Sequence, residues 1–177
     1  MNPDRYPTIL ADPPWDIQQL GNRGAGRHYR LMSLSQICSL HVGGRRVEEL
    51  ATDDAHLWLW VTNASIHAGQ QVMEAWGFSY RSCLTWIKPR LGLGVYLRNQ
   101  TEHLLLGVRG RAPIRFRSQG SWFYAPVQEH SHKPEEQYAI IERCSHGPYL
   151  ELFARRERLG WDVWGDEVES DVALGGE

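Results

Sequence analysis

The segment Asp12-Pro13-Pro14-Trp15 combines a carboxylate, a rigid turn and a flat aromatic side chain within four consecutive residues. The rings of Pro13 and Pro14 stiffen the turn because they fix the backbone φ angle. The Trp15 indole can stack on another aromatic ring, which is worth about 1–3 kcal/mol for a nucleobase. The Asp12 carboxylate and the Pro13 carbonyl can both accept hydrogen bonds from one exocyclic amine. The segment therefore suits a ligand that carries an amine on an aromatic ring.

Two acceptors for one amine also predict a catalytic role. The lone pair of an aminopurine nitrogen is conjugated into the ring, so this nitrogen is a poor nucleophile. Hydrogen bonds from both of its protons favour a pyramidal nitrogen whose lone pair points at an electrophile, and this stabilisation grows toward the transition state. We therefore interpret Asp12, Pro13, Pro14 and Trp15 as catalytic residues. The simpler alternative is a Pro-Pro turn that leaves a tryptophan at the surface.

Alternating strands and helices must position this segment. The predicted strands are Thr8–Ala11, Ala55–Thr62, Phe78–Ile87, Glu102–Arg109, Ile114–Phe116, Tyr149–Phe153 and Trp161–Trp164. Helices are predicted near 34–40, 64–76 and 134–145. This alternation predicts an α/β fold with a mostly parallel sheet and helices on both faces.

Ligands of such sheets bind beyond the carboxyl ends of the strands. Candidate site residues are therefore Asp12, Asn63, Lys88 and the run that begins at Ala154. We expect Ser33 and Gln36 to form a capping box and Asn63 to cap the second helix.

Two other local signals concern helix ends. Gly77 predicts the end of the second helix. Pro134 predicts the first turn of the third helix, and Gly147 its end.

The composition is that of an ordinary globular protein. The chain has 177 residues, of which 42% are hydrophobic and 23% charged, and a core of this size buries roughly 70% of the unfolded surface. We expect one domain over residues 1–167 and a flexible tail over 168–177. Three cysteines without CxxC spacing predict neither a disulfide framework nor a zinc site. Without a signal peptide or a run of about 18 apolar residues, we expect a cytoplasmic protein that is not in a membrane.

Positive charge is concentrated in one stretch of the chain. Residues 81–117 hold eight basic side chains and one acid, although the whole chain has a net charge of −2. A second basic patch combines Arg23, Arg27 and Arg30 with His28. Such blocks favour a surface that faces a polyanion, and the alternative is a solvated, arginine-rich loop.

Several ordered blocks carry a resemblance to a known family. They are ADPPWD at 11–16, Tyr29 with Met32-Ser33, LWVTN at 59–63, AWGF at 75–78, TWIKP at 85–89, EHLLLGVRG at 102–110, SHKPEE at 131–136, ELFAR at 151–155 and WDVWGDE at 161–167. The chain resembles the MT-A70 family, which includes the catalytic subunit of the eukaryotic messenger-RNA adenosine methyltransferase. The resemblance implies a permuted, Rossmann-like methyltransferase fold and transfer of a methyl group from S-adenosylmethionine to the N6 amine of adenine.

The resemblance also implies a cofactor site. Lys133 is expected to pair with the methionine carboxylate of S-adenosylmethionine, and Asp12 to face its ammonium group. Acids at a strand end can accept hydrogen bonds from ribose hydroxyls. The further residues expected at the cofactor are Ser131, Glu151, Phe153, Arg155, Arg158, Asp166 and Glu167. For Asp166 and Glu167 the alternative is that they begin an acidic tail.

The expected substrate is nucleic acid, because the loops 17–30 and 88–101 would flank the pocket and hold phosphates. The expected substrate contacts are Arg27, Tyr29, Met32, Ser33, Asn63, Lys88, Arg90, Arg98 and Glu102. Compact members of this kind resemble bacterial or phage enzymes, which favours DNA over RNA. A homodimer or heterodimer is plausible.

Three rival interpretations stay open. The first is a non-catalytic nucleic-acid-binding subunit, which the intact Asp12–Trp15 segment disfavours. The second is a phosphate loop at Gly21, Gly24 and Gly26, and it lacks the Lys-Ser/Thr pair that should follow. The third is a metal site at His130 and His132, which has no clustered carboxylate or cysteine, so we expect no metal.

Overall fold

A seven-stranded sheet forms the centre of the protein. The structure, a computed structural model, describes residues 3–16, 31–94, 96–128 and 132–171. Its strands are, in chain order, β1 (Tyr6–Ala11), β2 (His41–Val42), β3 (Arg45–Arg46), β4 (Ala51–Val61), β5 (Ser79–Ile87), β6 (Thr101–Arg109), β7 (Trp122–Tyr124), β8 (Tyr149–Leu152) and β9 (Trp161–Trp164). Its helices are α1 (Leu34–Cys38), α2 (Val47–Leu50), α3 (Ile66–Ala75) and α4 (Glu136–Cys144), and a 3-10 turn covers Asn63–Ser65.

The order of the strands in the sheet is β7-β5-β6-β4-β1-β8-β9. β6 runs antiparallel to both of its neighbours, β4 and β5, and every other neighbouring pair is parallel. The prediction of an α/β fold with a mostly parallel sheet is therefore confirmed.

Both faces of the sheet are covered, which explains why the central strands are continuously apolar. Leu57 and Leu59 of β4 belong to the hydrophobic cluster that also contains residues of α1, α2 and α3. Trp58 and Trp60 alternate with them and belong to the cluster that contains residues of α4. Within the described ranges, no helix has the length and hydrophobicity that a membrane crossing requires.

The connections diverge between β1 and β8. From β1 the chain continues to β4 on one side, and from β8 it continues to β9 on the other side. Such a switch point leaves a crevice beyond the carboxyl ends of the two strands. Asp12 follows β1 and its backbone N–H donates to the Leu152 carbonyl at 3.4 Å. Asp12 and Phe153 are thus placed on either side of the predicted ligand-binding crevice.

Two of the local predictions are confirmed. Ser33 and Gln36 form a reciprocal capping box at the start of α1. Gly77 follows α3 with a φ angle of +78°, a conformation that glycine adopts without strain. The prediction for Pro134 is wrong, because α4 begins two residues later, at Glu136, and the Pro134 carbonyl accepts a hydrogen bond from the Gln137 N–H at 3.2 Å.

Other local predictions are wrong. Asn63 does not cap a helix, because the Ser65 hydroxyl instead accepts from the Thr62 N–H at 2.7 Å and a 3-10 turn precedes α3. Gly147 does not end α4, which stops at Cys144.

The strand predicted at Ile114–Phe116 does not form. The Arg115 backbone N–H donates to the Cys144 carbonyl at 2.9 Å, so this apolar segment is a loop packed beside α4. The strand in this part of the chain is β7, and its residues Trp122 and Tyr124 are exposed.

The beginning of the predicted tail contacts the sheet. The Asp171 N–H donates to the Val163 carbonyl at 2.8 Å, and the Val163 N–H donates to the Asp171 carboxylate at 2.9 Å. Residues 172–177 lie outside the described part of the chain.

Candidate active site

A buried ion pair joins Asp12 to Lys133 at the end of β1. The Lys133 ammonium donates to both carboxylate oxygens of Asp12, at 3.0 Å and 2.9 Å. The same ammonium lies 3.4 Å from a carboxylate oxygen of Glu102, which belongs to β6. All three side chains are less than one-fifth exposed. The fold thus brings together three of the predicted site residues from distant parts of the sequence.

Lys88, directly after β5, extends this cluster. Its ammonium bonds the other carboxylate oxygen of Glu102 and lies 4.8 Å from the centre of the Trp86 ring. The Lys133 ammonium lies 5.4 Å from the centre of the Trp60 ring. Two lysines and two carboxylates therefore alternate, and the two ammonium groups lie near aromatic rings. We call these four residues the charged cluster: Asp12, Lys133, Glu102 and Lys88.

Mutual attraction keeps the charged cluster ionised. Burial acts to raise the pKa of Glu102, but Lys133 and Lys88 outweigh it, so the pKa lies below its ordinary value. Burial acts to lower the pKa of Lys133, but Asp12 and Glu102 outweigh it, so the pKa lies above its ordinary value. Both groups are consequently charged at neutral pH, and the cluster offers opposite charges to a zwitterionic ligand.

Backbone hydrogen bonds fix the Asp12–Trp15 turn. The Trp15 N–H donates to the Pro13 carbonyl at 2.9 Å, and the Met32 N–H donates to the Pro14 carbonyl at 2.8 Å. The Trp15 indole N–H donates to the Trp60 carbonyl at 3.0 Å, and the half-buried ring packs against the core on the side of α1. The Pro13 carbonyl uses one of its two lone pairs in this turn.

A crevice of about 550 Å³ opens beyond the ends of β1, β8 and β9. Its volume is in the range of small-molecule sites. It is lined by Asp12, Pro14, Met32, Gln36, Leu40, Phe153, Ala154, Arg155, Trp164, Gly165, Asp166 and Glu167. One cavity is therefore lined by Met32 and by six residues that were predicted at the cofactor or in the catalytic segment. This cavity lies beside the charged cluster.

The backbone around Phe153 shows why the crevice forms there. Phe153 has a φ angle of +63°, a strained conformation for a residue with a side chain, and its ring packs edge-on against Trp164 at 5.6 Å. A Cβ atom on Gly165 would collide with the Ala154 carbonyl oxygen. The ends of β8 and β9 thus approach each other closely, and the Phe153 ring turns into the crevice wall.

The sequence analysis missed the residues beneath the Asp12–Lys133 pair. Trp60, Gln137 and Tyr138 line a small pocket together with Asp12 and Lys133. The Trp60 indole N–H donates to the Gln137 side-chain oxygen at 2.7 Å. Neither Trp60 nor Gln137 has a sequence signal, because Trp60 is one of eight tryptophans and Gln137 is a single polar residue of a predicted helix.

Glu151 lies at the bottom of this pocket and accepts a hydrogen bond from the Tyr138 hydroxyl at 2.9 Å. Burial raises its pKa to about 7, and the Asp12 charge adds to the increase, although the Tyr138 hydrogen bond and Arg158 oppose it. The carboxyl is therefore protonated more readily in the folded chain than in the unfolded chain.

This linkage predicts a pH-dependent difference in stability between the wild type and Glu151→Gln. Because the folded pKa is raised, the wild type loses stability as the pH rises from the unfolded value near 4.5 to about 7, and the neutral amide does not. Between pH 4.5 and pH 8, the free energy of unfolding of the variant is expected to rise by about 3 kcal/mol relative to that of the wild type. Urea unfolding at both pH values measures it, and a difference that does not change with pH would contradict the raised pKa.

The predicted cofactor residue Arg158 is placed differently. Arg158 donates to the Glu135 carboxylate at 2.9 Å, and its guanidinium carbon lies 4.0 Å from the centre of the Tyr138 ring. It thereby joins the β8–β9 turn to α4 and does not line the crevice. Ser131 lies outside the described residues.

The predicted substrate residues are only partly brought together. Lys88 and Glu102 belong to the charged cluster, and Met32 lines the crevice. The Asn63 amide donates to the Thr101 hydroxyl at 3.2 Å, and its oxygen bonds the His103 ring at 2.7 Å, beside the carboxyl end of β4.

The remaining predicted substrate residues fall into three groups. Ser33 is occupied as the cap of α1. Arg90 and Arg98 are exposed in the loop after β5, where Arg98 donates to the Gly92 carbonyl at 2.6 Å. Arg27 and Tyr29 lie outside the described residues, as does the second basic patch.

The basic block at 81–117 divides into structural and exposed side chains. Lys88 bonds Glu102, Arg109 donates to the Glu48 carbonyl, and Arg115 donates to the carbonyls of Glu142 and Ser145. Its other members are exposed and are Arg81, Arg90, Arg98, Arg111 and Arg117. Among the described residues, no group of three or more His, Cys, Asp or Glu side chains is arranged to hold a metal ion.

Comparison with known proteins places these features in a family. The MT-A70 family model matches residues 6–167. The human N6-adenosine-methyltransferase catalytic subunit METTL3 is 30% identical in an alignment that covers 93% of this chain and 28% of the relative. A putative MT-A70-like N6-adenosine-methyltransferase of Medicago truncatula is 30% identical over 93% of this chain and 26% of its own.

A compact bacterial protein is also similar. The type II methyltransferase M.MunI of Mycoplasma is 28% identical in an alignment that covers 93% of this chain and 78% of the relative. By contrast, the chain spans only about a quarter of the length of the eukaryotic relatives that it matches.

Proposed function

Because the chain belongs to the MT-A70 family, we propose that it transfers a methyl group from S-adenosylmethionine to the N6 amine of adenine in nucleic acid. The observation that carries this proposal is the position of Asp12. Its carboxylate lines the 550 Å³ crevice and also belongs to the charged cluster, at the switch point of the sheet. The printed names of the relatives, which are N6-adenosine methyltransferases and a type II methyltransferase, support the same reaction.

The charges around Asp12 fit the amino-acid end of the cofactor. S-adenosylmethionine supplies a methyl group on a positively charged sulfur. Asp12 can bind the ammonium group of the cofactor, and Lys133 can bind the carboxylate of the cofactor. Two ion pairs with the zwitterionic ligand would then replace the ion pair between Asp12 and Lys133. Asp166 and Glu167, at the end of β9 in the crevice, can accept hydrogen bonds from ribose hydroxyls.

The Asp12–Trp15 turn would hold the adenine. The Trp15 ring is fixed by its hydrogen bond to Trp60, and the turn is fixed through Met32, so neither must be ordered when the base binds. Asp12 and the second lone pair of the Pro13 carbonyl accept the two amine protons. The proton that the amine loses passes to Asp12 or to water.

A more specific proposal concerns whether the methylated nucleic acid is DNA or RNA. The exposed arginines after β5 can hold phosphates, and flipping the target base out of its stack costs least in a single strand. We favour DNA because the compact relative M.MunI is matched over most of its length. RNA is the alternative, since METTL3 and the plant relatives are named as adenosine methyltransferases.

We also propose that residues 1–167 form a single methyltransferase domain that acts in the cytoplasm, alone or as a dimer. A non-catalytic role as a subunit of a complex is disfavoured by the intact Asp12–Trp15 turn and its contacts.

Mass spectrometry of nucleosides tests the proposed reaction. The protein is incubated with S-adenosylmethionine whose methyl group is isotopically labelled, together with matched single-stranded DNA and RNA oligonucleotides. The expected product is labelled N6-methyladenine, formed faster in DNA. Label only in RNA would overturn the preference for DNA, and the absence of labelled N6-methyladenine from both would overturn the reaction itself.

A further inference from the structure

Two exposed aromatic side chains lie side by side on the edge strand β7. Trp122 is 60% exposed and Tyr124 is 59% exposed. Among the described strands, β7 pairs with β5 alone, with Trp122 opposite Thr85 and Tyr124 opposite Ile87. Because alternate residues of a strand share one face, the two aromatic side chains project from the same face, about 7 Å apart along the strand.

Among the described residues, this face of the sheet is only partly covered beside β7. Cys83, Thr85 and Ile87 of β5 are half-buried there, because α3 contacts β4 more than it contacts β5. Phe123, between the two aromatic residues, points to the opposite face and packs against the core beneath α4. Phe123 therefore attaches β7 to the hydrophobic core, and Trp122 and Tyr124 are not needed for this packing.

The chain segment that carries the aromatic pair is positively charged, and two of its exposed arginines, Arg81 and Arg117, line one cavity with Ser121, which directly precedes Trp122. Between residues 75 and 128 the sequence has eight basic side chains and a single acid, Glu102. That acid is bound by Lys88 and Lys133 and does not offset the exposed arginines. A strip of this charge is complementary to a polyanion.

The aromatic pair is continuous with the proposed adenine site. The Ala125 N–H, directly after Tyr124, donates to the Ile87 carbonyl at 3.4 Å, and Ile87 is followed by Lys88 of the charged cluster. Arg90 follows and is exposed. A strand of nucleic acid whose adenine reaches Asp12 would thus pass the loop after β5 and meet Tyr124 and then Trp122.

We propose that Trp122 and Tyr124 stack with bases that neighbour the target adenine in a single-stranded stretch of the substrate, an inference that rests on the proposed function. Aromatic side chains in a basic groove bind single strands in this way, because every base has a flat face to offer. The bases of a duplex are already stacked on each other, so they cannot also stack on both aromatic rings. A second copy of this chain suits the surface less well, since a symmetric contact would place two basic faces together.

The test compares binding of a 12-nucleotide single-stranded DNA that contains one adenine. Trp122→Ala/Tyr124→Ala is expected to bind it roughly 100-fold more weakly, about tenfold for each lost stacking contact. The dependence of affinity on salt should keep its slope, because that slope counts phosphate contacts. Trp122→Phe/Tyr124→Phe should retain most of the affinity, and Leu159→Ala, a fully exposed residue in the β8–β9 turn, should be unaffected.

Each outcome distinguishes this proposal from the proposed function. If the wild type methylates the oligonucleotide and the double alanine variant binds it equally well, the stacking surface is overturned and the reaction stands. If the double variant loses binding while the wild type methylates no adenine, the reaction is overturned and the surface stands. A change of sedimentation mass without a change of oligonucleotide affinity would show an interface between copies and would overturn the proposal.

Discussion

Replacing Asp12 by asparagine is expected to lower the rate of methyl transfer by about 10³-fold, within the range of 10²–10⁴ found for groups that accept a proton or stabilise developing charge. The variant preserves the shape of the side chain but removes its negative charge. One acceptor oxygen becomes an amide N–H₂ group, which cannot accept a proton of the adenine amine. Lys133 also loses the ion pair that the carboxylate makes through both oxygens. The measurement is the single-turnover rate with labelled S-adenosylmethionine.

Asp16 provides the matched control for this experiment. It lies four residues further along the same segment and is exposed. Asp16→Asn makes the same change of charge without touching the crevice or the charged cluster, so its rate should stay within about twofold of the wild type. An Asp12→Asn variant as fast as Asp16→Asn would remove Asp12 from the reaction.

Replacing Lys133 by methionine is expected to weaken binding of the cofactor by roughly 30- to 1000-fold, as is typical when one partner of a buried charge pair is removed. The variant takes away the cation that would hold the methionine carboxylate. It also leaves Asp12 and Glu102 as neighbouring carboxylates without the ammonium between them. Calorimetric titration with the unreactive cofactor analogue sinefungin measures the affinity.

Two further variants separate binding from folding in this experiment. Lys133→Arg keeps the positive charge and should recover part of the affinity. Lys88→Met removes the other lysine of the charged cluster, which contacts Glu102 and not Asp12, so the affinity for sinefungin should change by less than about threefold. An equal loss of affinity in the Lys88 and Lys133 variants would show that the cluster acts only through the stability of the fold.

The strands that form the site could be predicted from the sequence because they are buried on both faces. β1, β4, β8 and β9 all lie within a few residues of their predicted positions. The rule for the carboxyl ends of parallel strands then indicated Asp12 correctly as a residue beside a crevice. Hydrophobic burial is a strong and local signal in such strands, and short exposed elements lack it.

Contacts between distant segments could not be predicted from spacing. Lys133 is 121 residues from Asp12, and only the order of strands in the sheet brings them together. The resemblance implied a role for Lys133, but the bond to Glu102 on β6 depends on the position of the antiparallel strand beside β4. The strained φ angle of Phe153 likewise has no sequence signal, since a positive φ angle is typical of glycine and not of phenylalanine.

Short elements at the surface were predicted least well. The β2–β3 hairpin turns at Gly43 and Gly44, which have φ angles of +56° and +77°, and its strands of two residues are too short for a periodic pattern. β7 was missed for the same reason. The apolar side chains at Ile114–Phe116 had suggested a strand, but they pack as a loop beside α4.

The most direct test of the central claim is a crystal structure with bound sinefungin and a dinucleotide that contains adenine. The amino-acid end of sinefungin is expected between Asp12 and Lys133, and its nucleoside in the crevice beside Phe153 and Gly165. The adenine amine of the dinucleotide is expected within hydrogen-bond distance of the Asp12 carboxylate and the Pro13 carbonyl. Sinefungin bound elsewhere on the chain, or an Asp12–Lys133 ion pair unchanged by the ligand, would contradict the central claim.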